Sequence, residues 1–319
     1  MSPLTLSPDS SSRLLESGLD IVITGASGWI GRSTLEMLNS TLGPALSARV
    51  HAFGSTAGTL TLRSGVQVPI QPLGDLLKLR IGPHLLAHYA FATREFVSTL
   101  GFSEYIRRNE AITDLVLAHL QRAAPAGIIY LSSGAVHLGS DLEINPYGVL
   151  KARDEVVFGR AVSDSAQSNS QRLVIPRLFN LAGPFLNKPD RFVLGSIIND
   201  VLGGGPVRLM SARVVTRSYV HVADLVELCF AILLGSGTVP SAPFDMAGDR
   251  EVEVGELATI IAAVLGHPDM AIERPTVSMS DPDRYVGDGS TMRSLAHVYG
   301  LALKSLETQI EDTARFLMH

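Results

Sequence analysis

The chain has 319 residues, of which 46% are hydrophobic and 18% are charged, and its formal net charge is −5. This length and composition can supply a large buried core, in one domain or in one domain with a smaller lobe. The negative charge, without a dense Lys/Arg cluster, argues against a nucleic-acid-binding protein. The single cysteine, Cys229, excludes an internal disulfide, and its apolar neighbours predict a core position.

The first 17 residues are rich in serine and proline and lack the positive start and apolar centre of a signal peptide. We predict that residues 1–18 form a disordered tail. No stretch reaches the roughly 18 consecutive apolar residues that suggest a transmembrane helix, so a cytoplasmic protein is expected. We predict no metal site.

Leu19–Thr24 is a short apolar, β-branched run, which predicts a strand buried on both faces. Gly25, Gly28 and Gly31 follow it, and the sequence up to Leu38 then has helical character. Gly25 would allow a tight turn, Gly28 the approach of a pyrophosphate, and Gly31 close packing of helix on strand. The helix N-terminus offers free N–H groups and a positive dipole end. The unit predicts dinucleotide binding rather than a glycine-rich turn without a ligand.

The spacing G-x-x-G-x-x-G, present here as TGASGWIG, resembles that of the short-chain dehydrogenase/reductase superfamily, in particular its extended branch. The resemblance implies that the cofactor is bound by the residues of this turn and of the first helical turn, namely Gly25, Ser27, Gly28, Trp29, Ile30 and Gly31.

A second strand is predicted at Arg49–Phe53. In NAD-preferring relatives an acidic residue usually ends this strand and binds the adenosine ribose, but here the position is Gly54. An uncharged strand end with Arg32 and Arg63 nearby tolerates a 2′-phosphate better than a carboxylate would. The expected cofactor is therefore NAD(P), with NADP favoured over NAD, unless both arginines are ordinary solvated charges.

Two more strands are predicted, at Val66–Ile70 and within Leu85–Ala92. The Asp-Leu pair after the first resembles one whose carboxylate and neighbouring amide meet the adenine edge in the family. Small residues after the second let the cofactor lie close to the backbone, and His88 is predicted to be structural. The cofactor-binding residues implied at these strand ends are Ser55, Thr56, Asp75, Leu76 and Ala90.

A helix at Glu104–Ala123 and a fifth strand at Gly127–Ser132 continue the alternation of strands and helices. This order predicts an α/β fold with a doubly wound, parallel Rossmann sheet, whose ligands lie at the carboxyl ends of the strands. The resemblance adds a smaller α/β C-terminal substrate lobe. The expected division places residues 19–180 and 212–243 in the Rossmann domain and residues 181–211 and 244–319 in the lobe.

The catalytic residues implied are Ser133, Tyr147 and Lys151. Asn145 and Pro146 suit a helix start, and Tyr147 and Lys151 are then four residues apart on one helix face. A nearby ammonium, with an oxidised nicotinamide, lowers the pKa of the phenol. Tyr147 can then exchange a proton with a carbinol or carbonyl while hydride moves to or from the nicotinamide.

In this resemblance Tyr147 and Lys151 also contact the cofactor, Lys151 through the nicotinamide ribose, and a serine binds the reacting oxygen. The family pattern Ser-Ser-x-x-Val selects Ser133 over Ser132. The alternative is a helix-surface Tyr/Lys pair in a protein that binds dinucleotide without turnover.

Two later stretches are similar to the extended branch. RLFNLAGP, at Arg177–Pro184, resembles R-x-F-N-x-x-G-P, which implies that Phe179 meets the nicotinamide side and that Asn180 contacts a nucleotide-sugar diphosphate. RSYVHVAD resembles R-x-[FY]-[VI]-x-V-x-D, whose arginine, here Arg217, binds the same diphosphate.

The loop between the predicted serine and tyrosine departs from the family pattern. It is some ten residues shorter than in nucleotide-sugar epimerases, and His137 replaces a common tyrosine. His137 is either a substrate contact or a loop histidine of no special role. Gly134 and Ala135 fill the acid positions of sugar 4,6-dehydratases, which argues against dehydration.

The function implied is an NAD(P)-dependent oxidoreductase or epimerase acting on a carbinol or keto carbon of a nucleotide-activated sugar. One alternative is an NADPH-dependent reductase of a 4-keto nucleotide sugar or another small ketone. Another is a non-catalytic, dinucleotide-binding regulatory protein. Many relatives pair through two long helices, here Glu104–Ala123 and Ala152–Ser163, so a homodimer is expected by analogy.

Overall fold

The computed structural model describes residues 4–164 and 171–318. The described chain forms two compact units, which we call the sheet unit (residues 4–177 and 227–244) and the small unit (residues 178–226 and 245–318).

The strands up to residue 178 are β1 (Asp20–Thr24), β2 (Val50–Gly54), β3 (Gly58–Thr61), β4 (Gln67–Pro72), β5 (His84–His88), β6 (Gly127–Tyr130), β7 (Ser132–Ser133), β8 (Arg172–Val174) and β9 (Pro176–Leu178). Seven of them form one sheet in the order β3-β4-β2-β1-β5-β6-β8. All neighbours are parallel except β3, which pairs antiparallel with β4. The predicted Rossmann-type sheet is confirmed, with β3 as an added edge strand.

The helices of the sheet unit before residue 165 are α1 (Pro8–Ser17), α2 (Trp29–Leu42), α3 (Leu46–Arg49), α4 (Phe96–Leu100), α5 (Phe102–Arg122) and α6 (Pro146–Ser163). Short 3-10 helices lie at Gly43–Ala45, Leu73–Lys78 and Gly134–His137. Strand side chains such as Tyr130 form a buried core with Val116 of α5 and Phe158 of α6. This packing fixes both helices against the sheet, because burial of apolar area is the main favourable contribution to folding.

The predicted disordered tail is wrong for residues 4–18, while residues 1–3 lie outside the described part of the chain. Helix α1 occupies most of this segment, and Leu4, Leu6 and Leu14 are buried. The Ser7 side chain accepts a hydrogen bond from the backbone N–H of Ser10, and a proline follows at the first helical position. Serine and proline therefore start a helix here, and the apolar leucines attach it to the protein.

The remaining helices are α7 (Val193–Leu202), α8 (Val222–Leu234), α9 (Val254–Val264), α10 (Ser290–Val298) and α11 (Leu306–Leu317), with a 3-10 helix at Pro189–Arg191. The remaining strands are β10 (Leu181–Ala182), β11 (Val207–Arg208), β12 (Arg213–Arg217), β13 (Val220–His221), β14 (Phe244–Met246), β15 (Val252–Glu253), β16 (Ile272–Glu273) and β17 (Ser278–Tyr285). Apolar side chains of α7, α9 and α11 form the core of the small unit. Among the helices of the described residues, none combines the length and apolar character that a membrane crossing requires.

The boundary of the small unit differs from the predicted one. Residues 212–226 were expected in the Rossmann domain, but they belong to the small unit. The reason is strand pairing, since β12 pairs with β15 and β17, and β13 pairs with β10.

Three histidines are buried in the sheet unit, namely His84, His88 and His119. The imidazoles of His84 and His119 are hydrogen-bonded through their Nε2 atoms at 3.1 Å. Burial lowers the pKa of His84, lowers that of His88 to about 3, and lowers that of His119 to about 4. The predicted structural character of His88 agrees with this burial, because a neutral ring at physiological pH fits an apolar core.

We predict that the protein loses stability in acid because of these histidines. An unfolded histidine binds a proton below about pH 6.5, whereas the folded ones resist protonation until lower pH, so the free energy of unfolding falls as pH falls below about 6.5. In His119→Gln, the free energy of unfolding, measured by urea denaturation between pH 7.5 and 5.0, should depend less steeply on pH than in the parent. The difference corresponds to the uptake of up to about one proton fewer on unfolding. The exposed His297→Gln variant is the control, and equal slopes in all three proteins would contradict the prediction.

Candidate functional site

The glycine turn has the geometry that two of its glycines require. Gly25 has a φ of 74°, and an added Cβ would lie 2.7 Å from the backbone nitrogen of Ala90. A Cβ at Gly31 would lie 2.3 Å from the carbonyl oxygen of Gly25. A side chain would therefore collide with backbone at both positions, and the turn lies directly against the chain that leaves β5.

Gly28 is less crowded by backbone than Gly25 and Gly31 are. Apart from chain neighbours, an added Cβ would meet only the carbonyl oxygen of Gly25, at 3.3 Å. Gly28 is also the N-cap of α2, and no described side chain caps this helix end. A helix N-terminus without a side-chain cap, beginning at a glycine, fits the pyrophosphate of a dinucleotide. The residues of the turn therefore fit an NAD(P) cofactor.

The other residues assigned to the cofactor lie around this turn with different exposures. Ser27, Ser55 and Thr56 are exposed, whereas Trp29 and Ile30 are half-buried. The Leu76 side chain is buried in the core, so only its backbone can contact adenine. Asp75 forms a 2.6 Å ion pair with Lys78, which partly occupies the carboxylate predicted to contact adenine.

The end of β2 explains why no acidic residue stands there. A Cβ at Gly54 would lie 2.8 Å from the Cγ2 atom of Ile70, so a carboxylate side chain does not fit without a shift of the Ile70 side chain. The Arg32 guanidinium, in the first turns of α2, donates a hydrogen bond to the carbonyl of Thr61 at 3.3 Å. The strand end is thus followed by the exposed hydroxyl residues Ser55 and Thr56, and Arg32 lies on the neighbouring helix α2.

The segment after β5 brings the cofactor residues and the predicted catalytic residues together. Ala90 lies against Gly25, and the next residue, Phe91, contacts both predicted catalytic side chains of α6. Its ring is 5.5 Å from the ring of Tyr147 in an edge-on arrangement, and the Nζ atom of Lys151 lies 4.0 Å from its centroid. Phe91 thus joins the two halves of the candidate site.

Lys151 is 3% exposed, and its ammonium donates a 2.6 Å hydrogen bond to the carbonyl of Leu131. Its Nζ atom also lies 4.9 Å from the centroid of the Tyr130 ring. Burial lowers the pKa of Lys151 to about 7, while Asp154 and Glu155 act in the opposite direction. The ammonium is held by a carbonyl and two aromatic faces, which is a position where charge interacts strongly with nearby groups.

The two candidate serines of β7 have different partners. Ser132 Oγ donates a 2.5 Å hydrogen bond to Glu155, whereas Ser133 Oγ accepts one from the backbone N–H of Ala135 at 3.2 Å. Adjacent strand residues point to opposite faces, so the two hydroxyls do not share an environment. The proton of Ser132 is committed to a carboxylate, which supports the choice of Ser133 for the reacting oxygen.

Asn145 fixes the loop between Ser133 and α6. Its Oδ1 accepts from the N–H of Gly148 at 3.1 Å, which confirms it as the N-cap, and its Nδ2 donates to the carbonyls of Ala135 and Gly139. The loop is thus tied to the first turn of the helix that carries Tyr147. His137 lies in this loop and is exposed.

The three predicted residues of the small unit contact neighbours within that unit. The ring of Phe179 packs on Tyr285, with centroids 4.9 Å apart, and the Asn180 amide donates to the carbonyl of Ser218 at 3.0 Å. The Arg217 guanidinium forms a two-pronged ion pair with Asp283, at 3.1 and 2.9 Å. Arg217 would have to share or leave this carboxylate to bind a diphosphate.

Sequence reasoning missed the contribution of Phe91 and the loop contacts of Asn145. An aromatic residue among alanines in a strand exit was the available signal for Phe91, but nothing local indicates which helix it contacts. The polar side chain before Pro146 did indicate a helix cap. The two hydrogen bonds from Asn145 Nδ2 to Ala135 and Gly139 could not be predicted, because they depend on the conformation of the loop.

Comparison with known proteins places these motifs in a family context. A sequence model of the NAD dependent epimerase/dehydratase family matches residues 21–241. UDP-glucuronic acid decarboxylase 6 of Arabidopsis thaliana is 24% identical over 86% of this chain and 82% of its own length. A dTDP-4-dehydro-6-deoxy-D-allose reductase of Streptomyces bikiniensis is 32% identical over 40% of this chain and 37% of its own. The fold is similar to that of a DesIV double mutant (dTDP-glucose 4,6-dehydratase) from Streptomyces venezuelae with NAD and DAU bound, with a TM-score of 0.69, 20% identity and coverage of 94% of this chain and 97% of that one.

We predict that Gly28→Ala lowers the melting temperature less than Gly31→Ala does but weakens dinucleotide binding by about tenfold or more, because the new methyl group occupies the phosphate approach. Gly31→Ala should instead lower the melting temperature by several degrees, since its Cβ collides with backbone. Melting curves and cofactor titration by fluorescence separate the two effects. Equal cofactor affinity in Gly28→Ala and the parent protein would contradict the proposed phosphate position.

Proposed function

Because the chain belongs to the NAD dependent epimerase/dehydratase family, we propose that it is an NAD(P)-dependent oxidoreductase or epimerase acting on a nucleotide-activated sugar. The reacting group would be a carbinol or keto carbon, and the site would consist of Ser133, Tyr147 and Lys151. The observation that carries the proposal is the shared contact of Tyr147 and Lys151 with Phe91, one residue after the segment packed on the glycine turn.

Tyr147 would transfer the proton. Tyr147 is half-buried, and the Lys151 ammonium one helical turn away would favour the phenolate. Ser133 Oγ would donate a hydrogen bond to the reacting oxygen while it accepts one from Ala135. The nicotinamide supplies the hydride chemistry when it is bound, and Lys151 would bind its ribose.

The segment after β5 supports this geometry. Asn109, which is fully buried, accepts a hydrogen bond from the N–H of Ala92 at 2.8 Å and donates one to its carbonyl at 3.2 Å. This two-sided contact holds Phe91 at the helix face that carries Tyr147. Precise placement of reacting groups accounts for much of an enzyme's rate, so a fixed Phe91 favours catalysis over binding alone.

The substrate assignment extends the family's diphosphate contacts to Asn180 and Arg217. Both side chains carry donors, and a forked guanidinium suits a diphosphate well. Release of Arg217 from Asp283 would be part of binding. His137 is proposed as a sugar contact, since it is exposed on the loop that Asn145 ties to α6.

A net reduction of a 4-keto sugar is the second candidate. It is favoured by the partial similarity to a dTDP-4-dehydro-6-deoxy-D-allose reductase and by Gly134 and Ala135, which offer no acid for dehydration. Epimerisation keeps the cofactor through a cycle, whereas reduction requires its exchange. Cofactor retained through purification would favour epimerisation.

The proton-transfer role of Tyr147 can be tested with Tyr147→Phe. This variant should retain NAD(P) affinity within about threefold and lose turnover by at least about a hundredfold, because only the proton-transferring hydroxyl is removed. Tyr299→Phe makes the same change on a small-unit tyrosine and should leave turnover unchanged. Substrates are first identified by a thermal-shift screen of nucleotide sugars with each cofactor. Equal turnover of Tyr147→Phe and the parent would favour a regulatory, non-catalytic protein.

The proposed cofactor preference is NADP over NAD. An arginine near the β2 end would bind the 2′-phosphate, so Arg32→Ala should weaken NADP binding by about tenfold and leave NAD binding unchanged. The control is Arg108→Ala, on the exposed side of α5. Isothermal titration with both cofactors gives the answer, and a parent protein that binds NAD more tightly would overturn the preference.

A further inference from the structure

Glu155 is a buried carboxylate to which the proposed reaction assigns no role. It lies four residues after Lys151 and eight after Tyr147, so the three side chains follow one face of α6. The residue is 7% exposed. A buried carboxylate is costly unless each of its oxygens is paired.

Both carboxylate oxygens of Glu155 have partners on other elements. Oε1 accepts from Ser132 Oγ at 2.5 Å and from Arg177 Nε at 2.8 Å, and Oε2 accepts from an Arg177 terminal nitrogen at 2.6 Å. Ser132 belongs to β7 and Arg177 to β9. One side chain therefore joins α6 to two strands by three charge-assisted hydrogen bonds.

We propose that Glu155 is a positioning residue of the reaction, which fixes the rotation of α6 against β7 so that Tyr147 and Lys151 face the end of the strand at Ser133. This proposal rests on the proposed function. Ser132 and Ser133 are adjacent in β7, so the hydrogen bond that holds Ser132 also fixes the strand direction at Ser133. A small rotation of α6 would displace the Lys151 ammonium, one turn away, and the Tyr147 phenol, two turns away, by about an ångström. Misplacement of that size reduces rates by about a hundredfold.

Charge provides a second link between Glu155 and the site. Lys151 is desolvated, and the charged or titratable groups near it include Asp154 and Glu155 on α6, His88 on β5 and Tyr130 on β6, besides the proposed partner Tyr147. Both carboxylates raise the pKa of Lys151 against the effect of burial. Loss of the Glu155 charge would therefore favour a neutral amine, which stabilises a phenolate less well.

A purely structural ion pair would behave differently from a positioning residue. Replacement of a buried ion pair by apolar side chains of similar size is often neutral or stabilising. Glu155→Met/Arg177→Met should therefore fold with nearly the parental melting temperature. It should nevertheless lose the acceptor of Ser132 and the charge near Lys151.

The first experiment measures kinetics in Glu155→Gln and in Glu155→Met/Arg177→Met. We expect kcat to fall by about tenfold in the first and by about tenfold to a hundredfold in the second, with KM for the cofactor changed by less than about threefold. The matched control is Glu110→Gln, which breaks the 2.5 Å ion pair of Arg153 on the more exposed side of the same helix. Parental kcat in the folded double variant would overturn the proposal. If the double variant does not fold, the Glu155→Gln result decides.

The second experiment does not depend on activity. The chain contains four lysines, so the side-chain ¹³Cε signal of Lys151 can be assigned by comparison with Lys151→Met and titrated by NMR. In Glu155→Gln we expect the pKa of Lys151 to fall by about one pH unit, and in Glu110→Gln to stay at its parental value. An unchanged pKa in Glu155→Gln would contradict the electrostatic link. A parent protein without turnover on any nucleotide sugar would overturn the proposed function, whereas the titration would still decide the link between Glu155 and Lys151.

Discussion

The chain segment after β5 is the constraint on which the rest of the candidate site depends. Ala90 touches the glycine turn, Phe91 contacts two side chains of α6, and Ala92 is held on both sides by Asn109. The backbone at Ala90 has no room to move toward the turn. It already lies so close to Gly25 that a Cβ atom there would be only 2.7 Å from the Ala90 nitrogen. A displacement of this segment would therefore disturb both the glycine turn and the surroundings of Tyr147 and Lys151.

Lys151 illustrates how much of the local structure serves a single charge. Its burial opposes the ammonium form, and one carbonyl, two ring faces and two carboxylates act in its favour. A core built for stability alone would place an apolar residue here, since a buried charge costs free energy even when it is paired. Sites where a local folding rule is broken and then compensated are expected at functional positions.

The parts of the fold that sequence reasoning predicted are those specified by local spacing. The turn at Gly25 and the start of α6 at Pro146 both depend on residues within a few positions, and both are confirmed. Pairing between strands that are far apart in the sequence could not be predicted in this way. Residues 212–226 fall in the small unit and not in the predicted domain, because the paired residues of β12 lie 35 to 68 positions further along the chain. Helix α1 was missed because its serines cap a helix and bind Glu227, whereas composition alone suggested disorder.

The site also shows how two short-range periodicities combine. In β7 the alternation of side chains separates Ser132 from Ser133, and in α6 the spacing of four places Tyr147, Lys151 and Glu155 on one face. Neither of these periodicities fixes how α6 is rotated about its axis relative to β7. The hydrogen bond between Ser132 and Glu155 fixes this rotation in the middle of α6. Asn145 fixes it at the start of the helix, through its hydrogen bond to the carbonyl of Ala135.

Because these contacts determine the relative position of β7 and α6, the loop between them is not needed for that purpose. Asn145 holds the loop at Ala135 and at Gly139, so the chain from Ser140 to Ile144 can differ in length without a change in the rotation of α6. A loop shorter than in nucleotide-sugar epimerases is therefore compatible with an intact Ser133/Tyr147/Lys151 arrangement. Under the proposed function, the fixed contacts would determine which proton can move, and the loop that carries His137 would help to determine which sugar is accepted.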